Sequence, residues 1–251
     1  MLLTAIFVAS FFAGVVNSFA GGGIIILFPA LLAAGLPAVT ANATSNLSSW
    51  PGALTSAYGY RHYLAKLPRK YLLLLIPCFI GAVVGSWLLA HTNSTEFERA
   101  VPYLVLAAVL LFMFQPLLHS HLASNLKHHR TAPLVLIGVA LIPMAIYGGY
   151  FGAGFGFIML AFLGFTHITN LHQINGLNNL AGATISLVCT VYFSWIGLIN
   201  WQYGNVLVVG SLLGGFVGSR IAQRLNPAYV HLGIVVLGLI VAGALFATQR
   251  G

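Results

Sequence analysis

Long apolar segments recur from one end of this chain to the other, separated by short polar connections. A helix needs about 20 apolar residues to cross the hydrocarbon of a bilayer, and there only helices and closed barrels satisfy all their own backbone hydrogen bonds. Charged residues make up 5% of the 251 residues, against roughly 25% in an ordinary soluble domain, so they could not cover a water-facing surface. We therefore predict an all-α polytopic membrane protein, with one transmembrane domain over residues 1–251.

The two halves of the chain repeat each other without a gap. Glycines, asparagines and a Val-Gly-Ser triplet recur at one offset of 133 positions, the difference between 154 and 21. The matched pairs are Ala20 with Ala153, Gly21 with Gly154, Gly23 with Gly156, Asn42 with Asn175, Asn46 with Asn179, Leu47 with Leu180, Gly81 with Gly214, Val84 with Val217, Gly85 with Gly218 and Ser86 with Ser219. One register that aligns both glycines and asparagines in apolar helices indicates an internal duplication. We assign repeat 1 to residues 1–125 and repeat 2 to residues 134–251.

Each repeat contains five hydrophobic segments, of which the second is short. The segments lie near 2–19, 23–35, 43–60, 70–91 and 100–118 in repeat 1, and near 134–151, 156–168, 176–194, 203–223 and 229–248 in repeat 2. The second segments reach only about 20 Å as helices, whereas the hydrocarbon core is about 30 Å thick. They therefore predict broken helices inside the membrane.

An odd number of crossings in each repeat would invert repeat 2 relative to repeat 1. With five crossings, eight basic residues lie on one side of the membrane and two on the other; if the short segments do not cross, the division is seven against three. The eight are Arg61, Lys66, Arg69, Lys70, Lys127, Arg130, Arg220 and Arg224, and the two are Arg99 and Arg250. Because basic residues concentrate in cytoplasmic loops, we favour two inverted repeats with short broken helices at their interface. The same rule accounts for the formal net charge of +8 without a nucleic-acid partner.

The glycines that precede the two short segments predict a binding site. "AGGG" at 20–23 and "GAGFG" at 152–156 occupy the same place in the two repeats. Glycine lets a ligand approach the backbone closely, and a helix that begins there presents unpaired N–H groups and the positive end of its dipole. The predicted anion-binding glycines are Gly21, Gly22, Gly23, Gly154 and Gly156. The alternative is that such glycines only allow helices to pack closely, which is our interpretation of the glycines at 81, 85, 214 and 218.

A polar stretch follows each short segment and forms the second part of the predicted site. The stretches are "TANATSNLSSW" at 40–50 and "HQINGLNNLAG" at 172–182. The candidates at matched positions are Asn42, Ser45 and Asn46 in repeat 1 and Asn175, Asn178 and Asn179 in repeat 2. Asparagines four residues apart share one face of a helix, where amide N–H groups could donate to an oxyanion. For each residue alone, helix capping or interhelical hydrogen bonding is an equal alternative.

The acidic side chains are confined to one loop, which restricts the chemistry. Glu96 and Glu98 are the only acidic residues, so no proton relay or sodium site can rest on an acidic side chain inside the membrane. His172 adjoins the second polar stretch and is the candidate for proton coupling, with a hydrogen-bonded structural histidine as the alternative. The sequence contains no metal-ligand spacing and no nucleophile–base pair, so we predict no metal, no cofactor and no enzymatic activity.

These motifs resemble a known family. "FFAGVVNSFAGGGIIILFPALLAAGLPAVTANATSNLSSWPGA" is similar to the signature of the TauE/SafE family of sulfite exporters, also called the TSUP family, and "YGGYFGAGFGFIMLAFL" and "NGLNNLAG" resemble its second half. The resemblance extends over essentially the whole chain. It implies a multi-pass protein of a bacterial-type plasma (inner) membrane, coupling to an ion gradient, and a sulfur-containing anion such as sulfite, thiosulfate or sulfoacetate as the substrate. Cys78 and Cys189 lie outside the two motifs, which argues against a relay through thiols.

Together, these observations predict a secondary transporter of a small anion, either a sulfur oxyanion or an organosulfonate, that works by alternating access. The anion would be held at the N-termini of the broken helices near the membrane midplane. The first alternative is a passive anion channel of the same fold, and the second, with less support, is an integral-membrane transferase. The expected partners are a small anionic substrate and the lipid bilayer, and the sequence predicts no particular oligomeric state.

Overall fold

The chain is built from helices throughout the part that its computed structural model describes, which comprises residues 2–126, 133–163, 166, 168, 170–223 and five residues between 235 and 243. The helices are α1 (Leu2–Ala20), α2 (Ile24–Ala33), α3 (Ala38–Gly59), α4 (Arg61–Leu64), a 3₁₀ helix (Arg69–Leu74), α5 (Leu75–Ala90), α6 (Ser94–Leu126), α7 (Leu134–Tyr150), α8 (Phe155–Leu163), α9 (Leu171–Trp195) and α10 (Trp201–Ala222). The described residues contain no strand, and the predicted all-α class is confirmed.

Four of the described helical stretches are long and apolar enough to cross a membrane. They are Leu2–Phe19, Arg69–Ala90, Leu171–Trp195 and Trp201–Ala222. Shorter apolar helices accompany them, and the prediction of a polytopic membrane protein is confirmed. The fifth predicted segment of repeat 2, near 229–248, lies mainly outside the described residues, as do Lys127, Arg130, Arg224 and Arg250.

The second helix of each repeat is even shorter than the sequence pattern predicted. Helix α2 has 10 residues and α8 has 9. At the rise of an α-helix, each spans only about 15 Å and covers about half of a hydrocarbon core. Neither helix is long enough to cross the hydrocarbon core alone, and their position inside the membrane stays a prediction.

The helices pack in a pattern that is unchanged when the two repeats exchange places. Helix α1 packs along α10, and α5 packs along α7. These contacts are equivalent, because α7 and α10 are the counterparts of α1 and α5 at the 133-residue offset. Helices α3 and α9 are also counterparts, and they pack against each other. In addition, α3 contacts α10 and α9 contacts α5, so that each contacts a helix of the other repeat. The pattern agrees with a duplication, while the inverted orientation of the repeats stays a prediction from the charge distribution.

Glycines make the closest of these helix contacts. The glycines that the sequence assigned to packing lie where α5 meets α7 and where α10 meets α1: Gly81, Gly85, Gly214 and Gly218. A Cβ on Gly81 would stand 2.8 Å from the carbonyl oxygen of Ile142, and one on Gly218 would stand 2.6 Å from Cα of Val15. The packing interpretation of these four glycines is confirmed.

Helices α3 and α9 are buried in the centre in spite of their polar sequences. The hydroxyl groups of Ser45, Ser49 and Ser56 each donate to the backbone carbonyl four residues earlier, which satisfies them within their own helix. In contrast, the outer helices expose large apolar side chains, and those of α5 and the preceding turn include Leu73, Ile76, Phe79, Val83 and Trp87. An apolar periphery around a more polar centre is the arrangement that a lipid environment favours.

Candidate functional site

The backbone breaks between α1 and α2 at the run of three glycines. The N–H group of Gly21 closes the last turn of α1 by donating to the carbonyl of Asn17 at 2.9 Å. Gly21 has a φ of +73°, a left-handed conformation that glycine adopts without steric cost. Within the described residues, the N–H groups of Gly22, Gly23 and Ile24 make no hydrogen bond. The N-terminus of α2 therefore presents three free donors.

The break between α7 and α8 has the same construction. The N–H groups of Phe151 and Gly152 donate to the carbonyl of Tyr147 at 2.9 and 3.3 Å, which ends α7. Gly154, the counterpart of Gly21, has a φ of +79°. In the described part of the chain, the N–H groups of Ala153, Gly154 and Gly156 make no hydrogen bond. Helix α8 therefore also begins with free donors.

The two breaks touch each other at Gly21 and Gly156. A Cβ on Gly21 would lie 2.8 Å from Cα and 3.3 Å from the backbone nitrogen of Gly156. The first of the three consecutive glycines thus contacts the first turn of α8 in the interior. Gly23 has a different neighbour, since its Cβ would stand 2.6 Å from the carbonyl oxygen of Ala13 on α1.

A cavity adjoins the contact between the two breaks, and its empty space, together with the solvent open to it, amounts to about 400 Å³. Its polar lining comprises Asn17, Ser49, Asn178, Asn179 and Ser186; its glycines are Gly21, Gly148, Gly152, Gly156 and Gly182; and Ile24, Ala53, Phe155 and Ile185 complete it. The described residues of this lining carry no charge, and every charged side chain in the described part of the chain is exposed. Beside apolar side chains, the described lining therefore offers a ligand backbone, amide and hydroxyl dipoles and no full charge.

A smaller cavity, of about 170 Å³, shares Asn17 and Ser49 with the first. Gly23 lines this smaller cavity together with Ser48 and Ser211. Among the three consecutive glycines, Gly21 therefore adjoins the larger cavity and Gly23 the smaller one.

The asparagines of the second polar motif contribute to the larger cavity through α9. Asn178 and Asn179 line it, and the amide nitrogen of Asn178 lies 3.8 Å from the point where a Cβ on Gly21 would stand. The amide nitrogen of Asn179 donates to the carbonyls of Asn175 at 2.8 Å and Ser18 at 3.4 Å. Its counterpart Asn46 likewise donates to the carbonyl four residues earlier, that of Asn42, at 3.1 Å. The predicted sharing of one helix face within each pair is confirmed.

Other predicted site residues serve as links between helices. Asn42 donates from its amide to the carbonyl of Tyr150 at 2.9 Å and ties α3 to the end of α7. Ser45 donates to the carbonyl of Ala41 at 2.8 Å. Six of the predicted anion-binding residues do not occur within the described linings of either cavity: Gly22, Asn42, Ser45, Asn46, Gly154 and Asn175.

His172 lies in the first turn of α9, at a distance from the glycine breaks. Its ring contacts those of Tyr63, with centroids 4.6 Å apart, and Tyr60, with centroids 6.1 Å apart. The histidine is absent from the described lining of the two cavities. Proton coupling through His172 stays a prediction, and its described surroundings are aromatic.

Sequence reasoning missed several cavity residues on the helices that it had singled out. Ser49 follows Asn46 by three residues, and Gly182 and Ser186 follow Asn179 by three and seven. Residues at these spacings lie on one face of a helix, so helical periodicity extended from the asparagines would have found them. Asn17 and Gly148 precede the breaks on α1 and α7, and no sequence signal distinguished them from packing residues.

Comparison with known proteins identifies relatives along almost the whole chain. A family model described as "Sulfite exporter TauE/SafE" matches residues 6–245. The chain is 29% identical to a "Probable membrane transporter protein" of Haemophilus influenzae, over 99% of this chain and 96% of the relative. It is 30% identical to "Probable membrane transporter protein ORF9" of Sinorhizobium sp, over 98% and 93%, and 27% identical to "Probable membrane transporter protein YfcA" of Escherichia coli, over 100% and 92%. No solved structure matches the chain.

Proposed function

Because this chain belongs to the sulfite exporter TauE/SafE family, we propose that it is a secondary transporter of a small anion, and that the anion is a sulfur oxyanion or an organosulfonate. The observation that carries the proposal is the contact between the two glycine breaks, each with free N–H donors, beside one uncharged cavity. The relatives' printed names, which describe probable membrane transporters, support the transport function. Their bacterial sources support a location in the bacterial inner membrane.

The electrostatics of the cavity favour an anion without the help of a basic side chain. The N-terminus of a helix carries a partial positive charge of roughly half an elementary charge. Here Ile24, the first residue of α2, and Gly156, in the first turn of α8, both line the cavity. Backbone donors in a site without water bind an anionic oxygen strongly. Sulfur oxyanions and sulfonates carry three or more acceptor oxygens on one sulfur atom, which suits N–H groups supplied by two helices.

The exchangeable packing of the two repeats supports alternating access. Helices of both repeats line the cavity: α1, α2 and α3 of repeat 1, and α7, α8 and α9 of repeat 2. A site between two similar units can open to either side of the membrane when one unit rocks against the other. The helix pairs α1–α10 and α5–α7 each join the two repeats. During such a motion, the two helices of each pair would have to stay in contact or slide along each other.

Binding of candidate anions by the purified protein provides the first test. Sulfite, sulfate, thiosulfate, sulfoacetate, taurine and a dicarboxylate are compared by thermal shift and then by calorimetric titration. We expect a sulfur oxyanion or a sulfonate to raise the midpoint of unfolding, because a ligand that binds only the folded state stabilises it. If none of the sulfur anions binds to folded protein, the proposed substrate class is contradicted.

Gly182 offers a way to fill the cavity without straining the backbone. It lies in α9 and lines the cavity, and a Cβ at this position would meet nothing within 4 Å in the described part of the chain. We expect Gly182→Leu to fold normally and to abolish anion binding, because the new side chain occupies the space of the ligand. The matched control is Gly138→Leu on α7, where a Cβ makes ordinary contacts at 3.8 and 3.9 Å outside the described cavity lining.

Counterflow in proteoliposomes distinguishes a carrier from a channel of the same fold. A carrier with alternating access accelerates uptake of labelled anion when unlabelled anion is present on the opposite side. A channel shows no such acceleration. Normal binding in Gly182→Leu would show that the anion occupies another place, and uptake without counterflow would replace the carrier with a channel.

A further inference from the structure

Amide oxygens near the cavity have no hydrogen-bond partner. In the part of the chain that the structure describes, this holds for the Oδ1 atoms of Asn46, Asn178 and Asn179, whose residues are 0%, 2% and 3% exposed. Asn178 and Asn179 line the cavity. The Oδ1 atom of Asn46 lies 3.6 Å from the point where a Cβ on Gly152, another lining residue, would stand. Buried polar atoms without a partner require an explanation, such as a bound ion or an ordered water molecule.

Chemistry fixes the orientation of two of these amides. The Nδ2 atoms of Asn46 and Asn179 donate to backbone carbonyls at 3.1 and 2.8 Å. A carbonyl accepts hydrogen bonds and does not donate them, so turning either amide would bring two oxygens together. The oxygens of this pair therefore point away from the carbonyl of the preceding turn. The two residues occupy matched positions in the two repeats, so the arrangement occurs twice.

An anion cannot be the partner of these oxygens, because like partial charges repel. A water molecule offers two donors, so at least two water molecules would be needed to serve the three acceptors. Hard cations, in contrast, prefer several oxygen ligands, and neutral amides without a carboxylate suit an ion of single positive charge better than a divalent one. The negative C-terminal ends of α1 and α7 reach the same breaks, and such helix ends hold coupling cations in other broken-helix transporters.

We propose that the amide oxygens of Asn46, Asn178 and Asn179 bind a monovalent cation beside the transported anion. The free N–H groups of α2 and α8 then serve the anion, while the amide oxygens serve the cation. The two ions neutralise each other in a cavity whose described lining has no charged side chain. The coupling part of this inference rests on the proposed anion transport, whereas cation binding itself does not.

The experiment uses Na⁺ as the probe and choline as the replacement cation. First, unfolding of the purified protein is followed without any anionic substrate, and we expect Na⁺ to raise the midpoint over choline at equal ionic strength. Second, the affinity for the anion identified above is measured in both salts, and we expect about a tenfold or greater loss without Na⁺, which is a typical coupling between two sites.

Variants locate the effect at the amide oxygens. We expect Asn46→Ala and Asn179→Ala to lose the response to Na⁺ in both measurements. The amide of Asn178 makes no hydrogen bond within the described chain, so Asn178→Ala should fold normally and show a reduced response to Na⁺. The matched control is Thr190→Ala, also on α9. The hydroxyl of Thr190 is buried and has no hydrogen-bond partner among the described residues, but it lies outside the described cavity lining. This variant should keep the full response to Na⁺.

The outcomes separate this inference from the proposed function. Equal midpoints in Na⁺ and choline for the wild type would overturn the cation site even if an anion binds. A response that Asn178→Ala and the folded Asn46 and Asn179 variants retain in full would overturn its location. Stabilisation by Na⁺ that depends on the asparagines, without binding of any sulfur anion, would support the cation site and contradict the proposed substrate class.

Discussion

Gly21 carries two separate constraints at the centre of the molecule. Its φ of +73° disfavours any side chain, and a Cβ there would also press on Gly156 at 2.8 Å. We expect Gly21→Ala to destabilise the fold by about 1–2 kcal/mol through the backbone conformation, and by a further 1–3 kcal/mol or so through overpacking. Thermal or denaturant unfolding in detergent measures the sum.

Gly197 is the matched control for that substitution. It has the same φ of +73°, but a Cβ there would meet nothing within 4 Å among the described residues. Gly197→Ala should therefore show the conformational cost alone. Equal losses of stability in the two variants would mean that Gly156 moves away from the new Cβ of Gly21→Ala without an energetic cost.

The residues of the candidate site illustrate how far sequence reasoning reaches at this scale. Among the residues paired by the repeat offset, Gly21, Gly156 and Asn179 line the larger cavity, whereas Gly154 and Asn46 do not occur in its described lining. The offset could not distinguish Gly21 from Gly23. Gly23 packs on Ala13, and this difference depends on how the chain turns between α1 and α2. The offset also could not show that the amide nitrogens of Asn46 and Asn179 are used by their own helices.

At the scale of helices, the two glycine-mediated interfaces should behave alike. A Cβ on Gly85 would overlap the carbonyl oxygen of Ile146, and one on Gly214 would overlap that of Phe11. We expect Gly85→Val and Gly214→Val each to destabilise the protein by about 3 kcal/mol or more, because backbone atoms cannot move aside as side chains do. Unfolding midpoints in detergent test both variants, with Gly138→Val as the tolerated control. A tolerated Gly85→Val would show that α5 and α7 can separate without loss of the fold.

Hydrophobicity predicted the outer helices well and the central helices less well. The segments predicted at 2–19 and 134–151 agree closely with α1 and α7. The third segments were predicted to begin at 43 and 176, whereas α3 begins at Ala38 and α9 at Leu171. The residues between the helix starts and the predicted starts include Thr40 and Asn42 in α3 and His172, Gln173 and Asn175 in α9. These polar side chains interrupt the apolar pattern from which the segments were predicted.

At the scale of the whole molecule, the membrane sidedness of the chain is open to a direct test. Lys66 and Glu96 flank the membrane-spanning stretch Arg69–Ala90, and we expect Lys66 on the cytoplasmic side and Glu96 outside because of the distribution of basic residues. Single cysteines at 66 and 96, in a background without Cys78 and Cys189, are labelled in intact cells with an impermeant reagent. The same labelling at 127 and 251 extends the test to both repeats.

We expect labelling from outside at 96 and 251 and none at 66 and 127. Labelling at 66 from the outside would contradict the assigned sidedness. Labelling at 251 that matches 66 instead of 96 would indicate parallel repeats, since an even number of crossings per repeat returns the chain to the same side.

The partnership of α1 with α10 has a consequence for biosynthesis. Helix α10 begins 181 residues after α1 ends, at residue 201 against residue 20, so a ribosome needs roughly 10–40 s to supply the neighbour. During that interval α1 can contact α2, α3 and α9 but not α10, and the carbonyls of Leu207 and Gly215, to which Ser10 and Ser18 donate, have not been made. A chain truncated before α10 would therefore leave one face of its first helix without its neighbour, as a substrate for membrane quality control.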